Sequence, residues 1–207
     1  MKRSFQQFGG LSAILVGILS IIYAVFYLLI SRQNPDLGIN GSWIVLALSG
    51  IFSSAAYVAL YQLTNQTAPG VTLWALALGV AASLATLLHG AYESTLIKTI
   101  AEASPDQQAA LAVLQQLPSQ VDPAGLMAFF VTGVVSLLFS YLIINQAVLS
   151  RALGTLGIVN GLVLVILYLA SANQIQTLIL VSGGLTSVIL GPIWWICLGV
   201  KLTQTKI

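Results

Sequence analysis

Charge is what this chain has least of. Only 6% of its 207 residues are Asp, Glu, Lys or Arg, while 58% are hydrophobic; an ordinary soluble domain carries roughly 25% charged residues. So few charges cannot cover a water-exposed surface of this size. The net charge of +2 is small and dispersed, which excludes a basic face for nucleic acid. Cysteine is nearly absent too. Cys197 stands alone, so an internal disulfide, a CxxC redox pair and a multi-cysteine metal site are excluded. Within the last apolar run it reads as a small buried hydrophobe. His89 is the one histidine, which excludes a bis-histidine haem inside one subunit. No lysine lies mid-way along an apolar run, so a retinal-type Schiff base has no candidate. A serine–histidine–acid triad, a phosphate loop, a dinucleotide fingerprint, a filter-like loop and an internal repeat are all missing. No cofactor is expected.

What the chain does have is long apolar sequence. Six runs, at about 9–30, 42–63, 71–92, 124–144, 153–169 and 177–200, each approach the ~20 residues that cross a ~30 Å hydrocarbon core as a helix. The expected fold is all-α, a six-transmembrane-helix bundle forming one domain over 1–207. No length remains for a separate soluble domain. Lys2 and Arg3 precede a first run too long for a signal-peptide core, so this run is expected to be retained as a helix.

The charges sort by side. Lys2, Arg3, Arg151, Lys201 and Lys206 fall on one side with no acid. Arg32 and Lys98 fall on the other with Asp36, Glu93, Glu102, Asp106 and Asp122. Lys and Arg favour cytoplasmic loops, so both termini are expected inside, in a bacterial inner (plasma) membrane. Trp43, Trp74, Trp194 and Trp195 fall near proposed span ends, where indoles favour the interface.

Between the third and fourth runs, Ser104-Pro105-Asp106-Gln107 is a helix start: a capping serine, a proline in the first turn, and Gln three residues after the cap. Ala110, Val113, Leu114 and Leu117 then share a face opposed by Gln107, Gln108, Gln115 and Gln116. A short amphipathic outer helix is expected at about 105–117, serving as a structural cover or as a gate.

Small residues recur at four-residue intervals, in Gly157/Gly161, Thr132/Ser136/Ser140 and Gly183/Ser187/Gly191. This spacing permits close helix packing in lipid; the alternatives are a cavity lining or a dimer contact. Asn160, mid-way along the fifth run, needs a partner in the bundle, and Tyr168 lies two turns away on a similar face. Both are candidate buried polar groups.

The strongest candidate site ends the third run, in His89-Gly90-Ala91-Tyr92-Glu93. His89 and Glu93 are four apart, so imidazole and carboxylate share a helix face and can pair. Asp122, ahead of the fourth run, is expected at the same outer surface. His89, Tyr92, Glu93 and Asp122 read either as a helix-end anchor or as a ligand-binding or proton-responsive site. A metal site has thin support, since zinc hydrolysis takes three protein ligands and a separate base.

Phe8-Gly9-Gly10-Leu11, His89-Gly90-x-Tyr92-Glu93, Asp122-Pro123 and Gly191-Pro192-Ile193-Trp194-Trp195-Ile196-x-Leu198-Gly199 resemble a broad set of bacterial polytopic membrane proteins grouped as domains of unknown function. The resemblance implies a six-helix inner-membrane protein and supplies no catalytic residues. The leading functional expectation is binding or movement of a small apolar or amphiphilic molecule within the bundle. The alternatives are an accessory or scaffold subunit of a larger membrane complex and, more weakly, a metal-dependent membrane hydrolase. Expected partners are membrane lipid, a small lipophilic ligand, and a membrane-protein partner or second copy, with no nucleic acid.

Overall fold

The computed structural model describes residues 2–116 and 119–205. Leu117 and Lys206 lie outside the described residues, as do the side chains of Lys2, Arg3, Ala110, Gln115 and Gln116. Everything regular in the described residues is helical. Six helices are long and apolar enough to cross a membrane: α1 (Phe5–Gln33), α2 (Pro35–Thr64), α3 (Pro69–Glu102), α5 (Pro123–Gln146), α6 (Arg151–Ala172) and α7 (Gln176–Gln204). A shorter helix, α4 (Pro105–Gln116), joins α3 to α5.

Two helices outrun their apolar sequence for local reasons. α2 begins at Pro35, ahead of the apolar run, because the Asn34 side chain accepts from Leu37 N at 3.1 Å and Pro35 occupies the first turn. α3 continues ten residues past the expected end at 92. Nothing between Ser94 and Glu102 breaks a helix, Thr95 and Thr99 hydroxyls bond back to carbonyls one turn earlier, and Lys98 pairs with Glu102 at 3.8 Å. Its 34 residues amount to about 51 Å at 1.5 Å per residue, well beyond a ~30 Å hydrocarbon core. Ser104 and Gln107 bond at the start of α4, as the sequence motif requires.

Neighbouring helices run antiparallel and touch through glycine. A Cβ on Gly133 of α5 would sit 2.7 Å from the Gly161 carbonyl oxygen of α6, and the reverse holds at 2.7 Å. Gly10 meets Gly199 and Thr203 across α1 and α7, and Gly50 meets Ser83 and Leu87 across α2 and α3. These small residues are therefore packing contacts. Gly183 behaves differently, because a Cβ there would meet only Leu167, at 3.8 Å.

The bundle thus has an acidic end, with Asp36, Glu102 and Asp122, and a basic end, with Arg151 and Lys201. The core lies toward the basic end. Tyr57 stacks on Phe139 with ring centroids 5.8 Å apart and meets Trp195 edge-on at 5.6 Å, and Trp194 contacts Trp195 at 4.7 Å. Trp194 is fully buried and Trp195 nearly so. That corrects the interfacial placement expected for these two indoles: the pair lies inward of Lys201 and fills the core instead. Cys197 is also displaced from expectation, being exposed on the outside of α7. In α7 the helix widens to a π turn over Leu185–Leu190, directly before Gly191-Pro192. Proline has no N–H to donate and its ring crowds the preceding turn, which accounts for the local widening.

Candidate functional site

Near the acidic end, the helices bring together part of the sequence-predicted constellation. His89 is half-buried on α3, and its Nδ1 lies 3.0 Å from Ser119 Oγ. Trp43 of α2 meets the imidazole edge-on, with ring centroids 5.2 Å apart and planes at 90°. Glu93 does not pair with His89, as the helix spacing predicted; the one ion pair among the described residues is Lys98–Glu102. The imidazole has a hydroxyl partner instead. Tyr92 and Glu93 are both half-buried, and neither side chain makes a hydrogen bond to a described residue.

Asp122 departs furthest from its expected surface position. It is 1% exposed, and its carboxylate accepts from Met127 N at 2.8 Å and Ala128 N at 2.9 Å. Two successive left-handed residues, Ala124 (φ 56°) and Gly125 (φ 76°), fold the chain back so that this happens. A side chain on Gly125 would also run into the Phe129 ring. The carboxylate thereby satisfies amide groups that have no helical partner and faces the positive end of the α5 dipole. Ser119 Oγ connects the two groups, accepting from Val121 N at 3.3 Å and Asp122 N at 3.4 Å while contacting His89. The result is a hydrogen-bonded clasp that fixes the entry into α5 against α3. No cluster of three His, Cys, Asp or Glu side chains at metal-holding distance occurs among the described residues, and both Asp122 oxygens are already bonded to backbone.

The opposite face of α3 carries a different feature. An open groove of about 280 Å³ runs between α2 and α3, walled by Ile44, Leu48 and Ile51 on one side and Leu87, Ala91 and Ser94 on the other. His89, Tyr92 and Glu93 are not part of its lining. Two residues from His89 along a helix is a rotation of about 200°, so Ala91 and His89 look in opposite directions. The groove is apolar along its length and polar where Ser94 and Thr95 lie. There the Ser94 hydroxyl donates to Asn40 Oδ1 at 2.6 Å. Gly90 forms the floor, where a Cβ would strike the Trp43 carbonyl oxygen and Ala47. A second open hollow lies between the end of α3 and α4, lined by Thr99, Glu102, Gln107 and Leu111.

Asn160 and Tyr168 do not form a unit. Tyr168 packs against Phe130, centroids 5.4 Å apart, while Asn160 is 2% exposed and its Oδ1 has no protein partner. Sequence reasoning missed Ser119, Asn40 and Ser94. The last two follow from the register of α2 on α3, because once Gly90 is set against Trp43, a position one turn along each helix brings Ser94 to Asn40.

No family model matches the chain, and comparison with curated proteins and with solved structures finds no match.

Proposed function

We propose that this integral membrane protein binds an amphiphilic molecule, placing its apolar chain in the groove between α2 and α3. The orientation adopted is that of the charge bias, with both termini and the basic end cytoplasmic and the groove's polar end toward the outer leaflet of a bacterial plasma membrane. The observation that carries this reading is the groove itself, apolar along its length and polar at the end where Ser94, which donates to Asn40, and Thr95 lie. Large side chains, Tyr57, Phe139, Leu60 and Trp194, occupy the core. The ligand accordingly sits against the bundle rather than within it.

Lipid tails are as apolar as the groove walls, so the hydrophobic effect supplies no net force toward the groove over the surrounding bilayer. Selectivity comes from the polar end. The Ser94 hydroxyl, the Asn40 amide and the Thr95 hydroxyl are uncharged, which favours a hydroxylated or amide headgroup over a strongly anionic one. Protein purified in mild detergent is expected to retain such a molecule, and Ser94→Ala with Asn40→Ala to change the headgroup classes recovered by lipid mass spectrometry. Recovery of an identical lipid set from the double variant and the parent counts against the reading. A stoichiometric protein partner and no retained amphiphile supports an accessory subunit instead.

A further inference from the structure

At the acidic end, one oxygen atom has its whole hydrogen-bonding capacity committed. Ser119 Oγ lies 3.0 Å from His89 Nδ1 and accepts from the backbone N–H groups of Val121 and Asp122 at 3.3 and 3.4 Å. A serine hydroxyl has two lone pairs and one proton. The two amides can only donate, so they take both lone pairs, and the hydroxyl proton is left for the imidazole. Nδ1 therefore accepts. That assigns the ring as neutral, with its own proton on Nε2.

Protonation upsets this arrangement. An imidazolium carries N–H on both nitrogens, so Nδ1 then aims a donor at an oxygen with no lone pair to spare. One of the three contacts must break, and a second partner for the ring decides which. Glu93 stands one turn along α3 at the four-residue spacing that puts it on the face of His89; it is half-buried and makes no hydrogen bond to a described residue. Glu93 and Asp122 are the charged groups acting on the imidazole, and from α2 the ring meets Trp43, which is uncharged. Asp122 is the poorer partner, because its two oxygens already hold the Met127 and Ala128 amides.

We propose that His89 and Ser119 form a pH-sensitive latch on the segment entering α5: the neutral imidazole holds Ser119, and the protonated one releases it and pairs with Glu93. The latch is closed above the pH at which the imidazole titrates and open below it. Release is confined to the segment ahead of α5, because the Asp122 carboxylate keeps its own bonds to Met127 and Ala128. The device is independent of the groove between α2 and α3. In the orientation set by the charge bias, it responds to acidification outside the cell.

The test uses the full chain in micelles, purified without a histidine tag, so that ¹⁵N-histidine labels His89 alone. Nitrogen NMR is expected to show a bare Nδ1 and a protonated Nε2 in the neutral form. A spin label at Gln120→Cys, on a Cys197→Ser background, is expected to gain mobility as the imidazole titrates, while one at Leu126→Cys in the first turn of α5 does not. His89→Asn, which places an uncharged amide near the Nδ1 position, is expected to abolish the pH response at 120, and Glu93→Gln to shift it to lower pH. A neutral ring protonated on Nδ1 overturns the proposal. So does an imidazole that stays neutral, or that titrates with no change at 120, and so does a response that persists in His89→Asn. Mobility gained at 120 and 126 together overturns it by identifying loss of the Asp122 cap. An unshifted response in Glu93→Gln overturns the exchange of partners. Should His89→Asn not fold, the parent and Glu93→Gln decide the matter.

Discussion

His89 binds Ser119, 30 residues away in sequence, and not Glu93 on the next turn of its own helix. The hydroxyl that holds the imidazole is also bonded to the backbone of Asp122, so a histidine on α3 and the residue that caps α5 share one oxygen. This makes the polar constellation at the acidic end a structural clasp, and it separates the histidine from the groove on the other side of the helix.

Ser119→Ala removes the shared oxygen. The expected cost is about 0.5–1.5 kcal/mol, the usual net value of one hydrogen bond. Glu93→Gln is expected to fall within about 0.5 kcal/mol of the parent, because its carboxylate bonds to nothing described. Equilibrium unfolding in mixed micelles, followed by circular dichroism, distinguishes the two. A larger effect at Glu93 than at Ser119 contradicts the clasp.

Asp122 carries more. Asp122→Ala leaves the buried Ala128 amide and the partly buried Met127 amide unpaired and is expected to cost about 1–3 kcal/mol for the buried group and less for the other. Asp122→Asn keeps one acceptor oxygen and is expected to lie between the alanine variant and the parent. The same unfolding measurement applies, and equal stability of all three proteins rules out the capping role.

Glycine contacts give a contrast within one chain. Gly133→Ala or Gly161→Ala forces a methyl group onto the facing carbonyl, with an expected cost of about 1–3 kcal/mol from overpacking. Gly184→Ala meets no atom within 4 Å and is expected to be neutral or to stabilise by about 0.4–1 kcal/mol through the unfolded state. Thermal unfolding should place Gly133→Ala and Gly161→Ala both below Gly184→Ala.

Orientation is open to cysteine labelling on a Cys197→Ser background. Asp106→Cys, between α3 and α5, is expected to react with a membrane-impermeant maleimide in intact cells, and Arg151→Cys only after the cells are opened. The reverse pattern inverts the topology.

Much of the architecture was legible in the sequence because a bilayer imposes one dominant rule, that about 20 apolar residues in succession form a helix. The six runs follow from it, whereas the helix beginning at Pro105 follows from its capping serine and first-turn proline. Helix ends followed less well. Hydropathy stops at the membrane surface, whereas capping by Asn34 and the unbroken Ser94–Glu102 stretch extend α2 and α3 past it. Partner choice was the least legible. The spacing of His89 and Glu93 allowed a pair, yet Ser119 arrives from a distant loop, and the placement of a loop is set by the left-handed turn at Ala124 and Gly125. Trp194 and Trp195 fall near a span end, where indoles favour the interface, but the face of α7 they share with Leu198 points to the core.

The groove is the centre of the account, and native mass spectrometry of the intact protein tests it most directly. Ala91 is exposed in the groove wall, whereas Leu84 is exposed on the same helix outside it. The parent and Leu84→Phe are expected to carry a bound amphiphile as a discrete mass increment that survives detergent removal, and Ala91→Phe to lose it. A spectrum in which all three proteins carry the same adduct, or in which none does, contradicts a binding role for the groove.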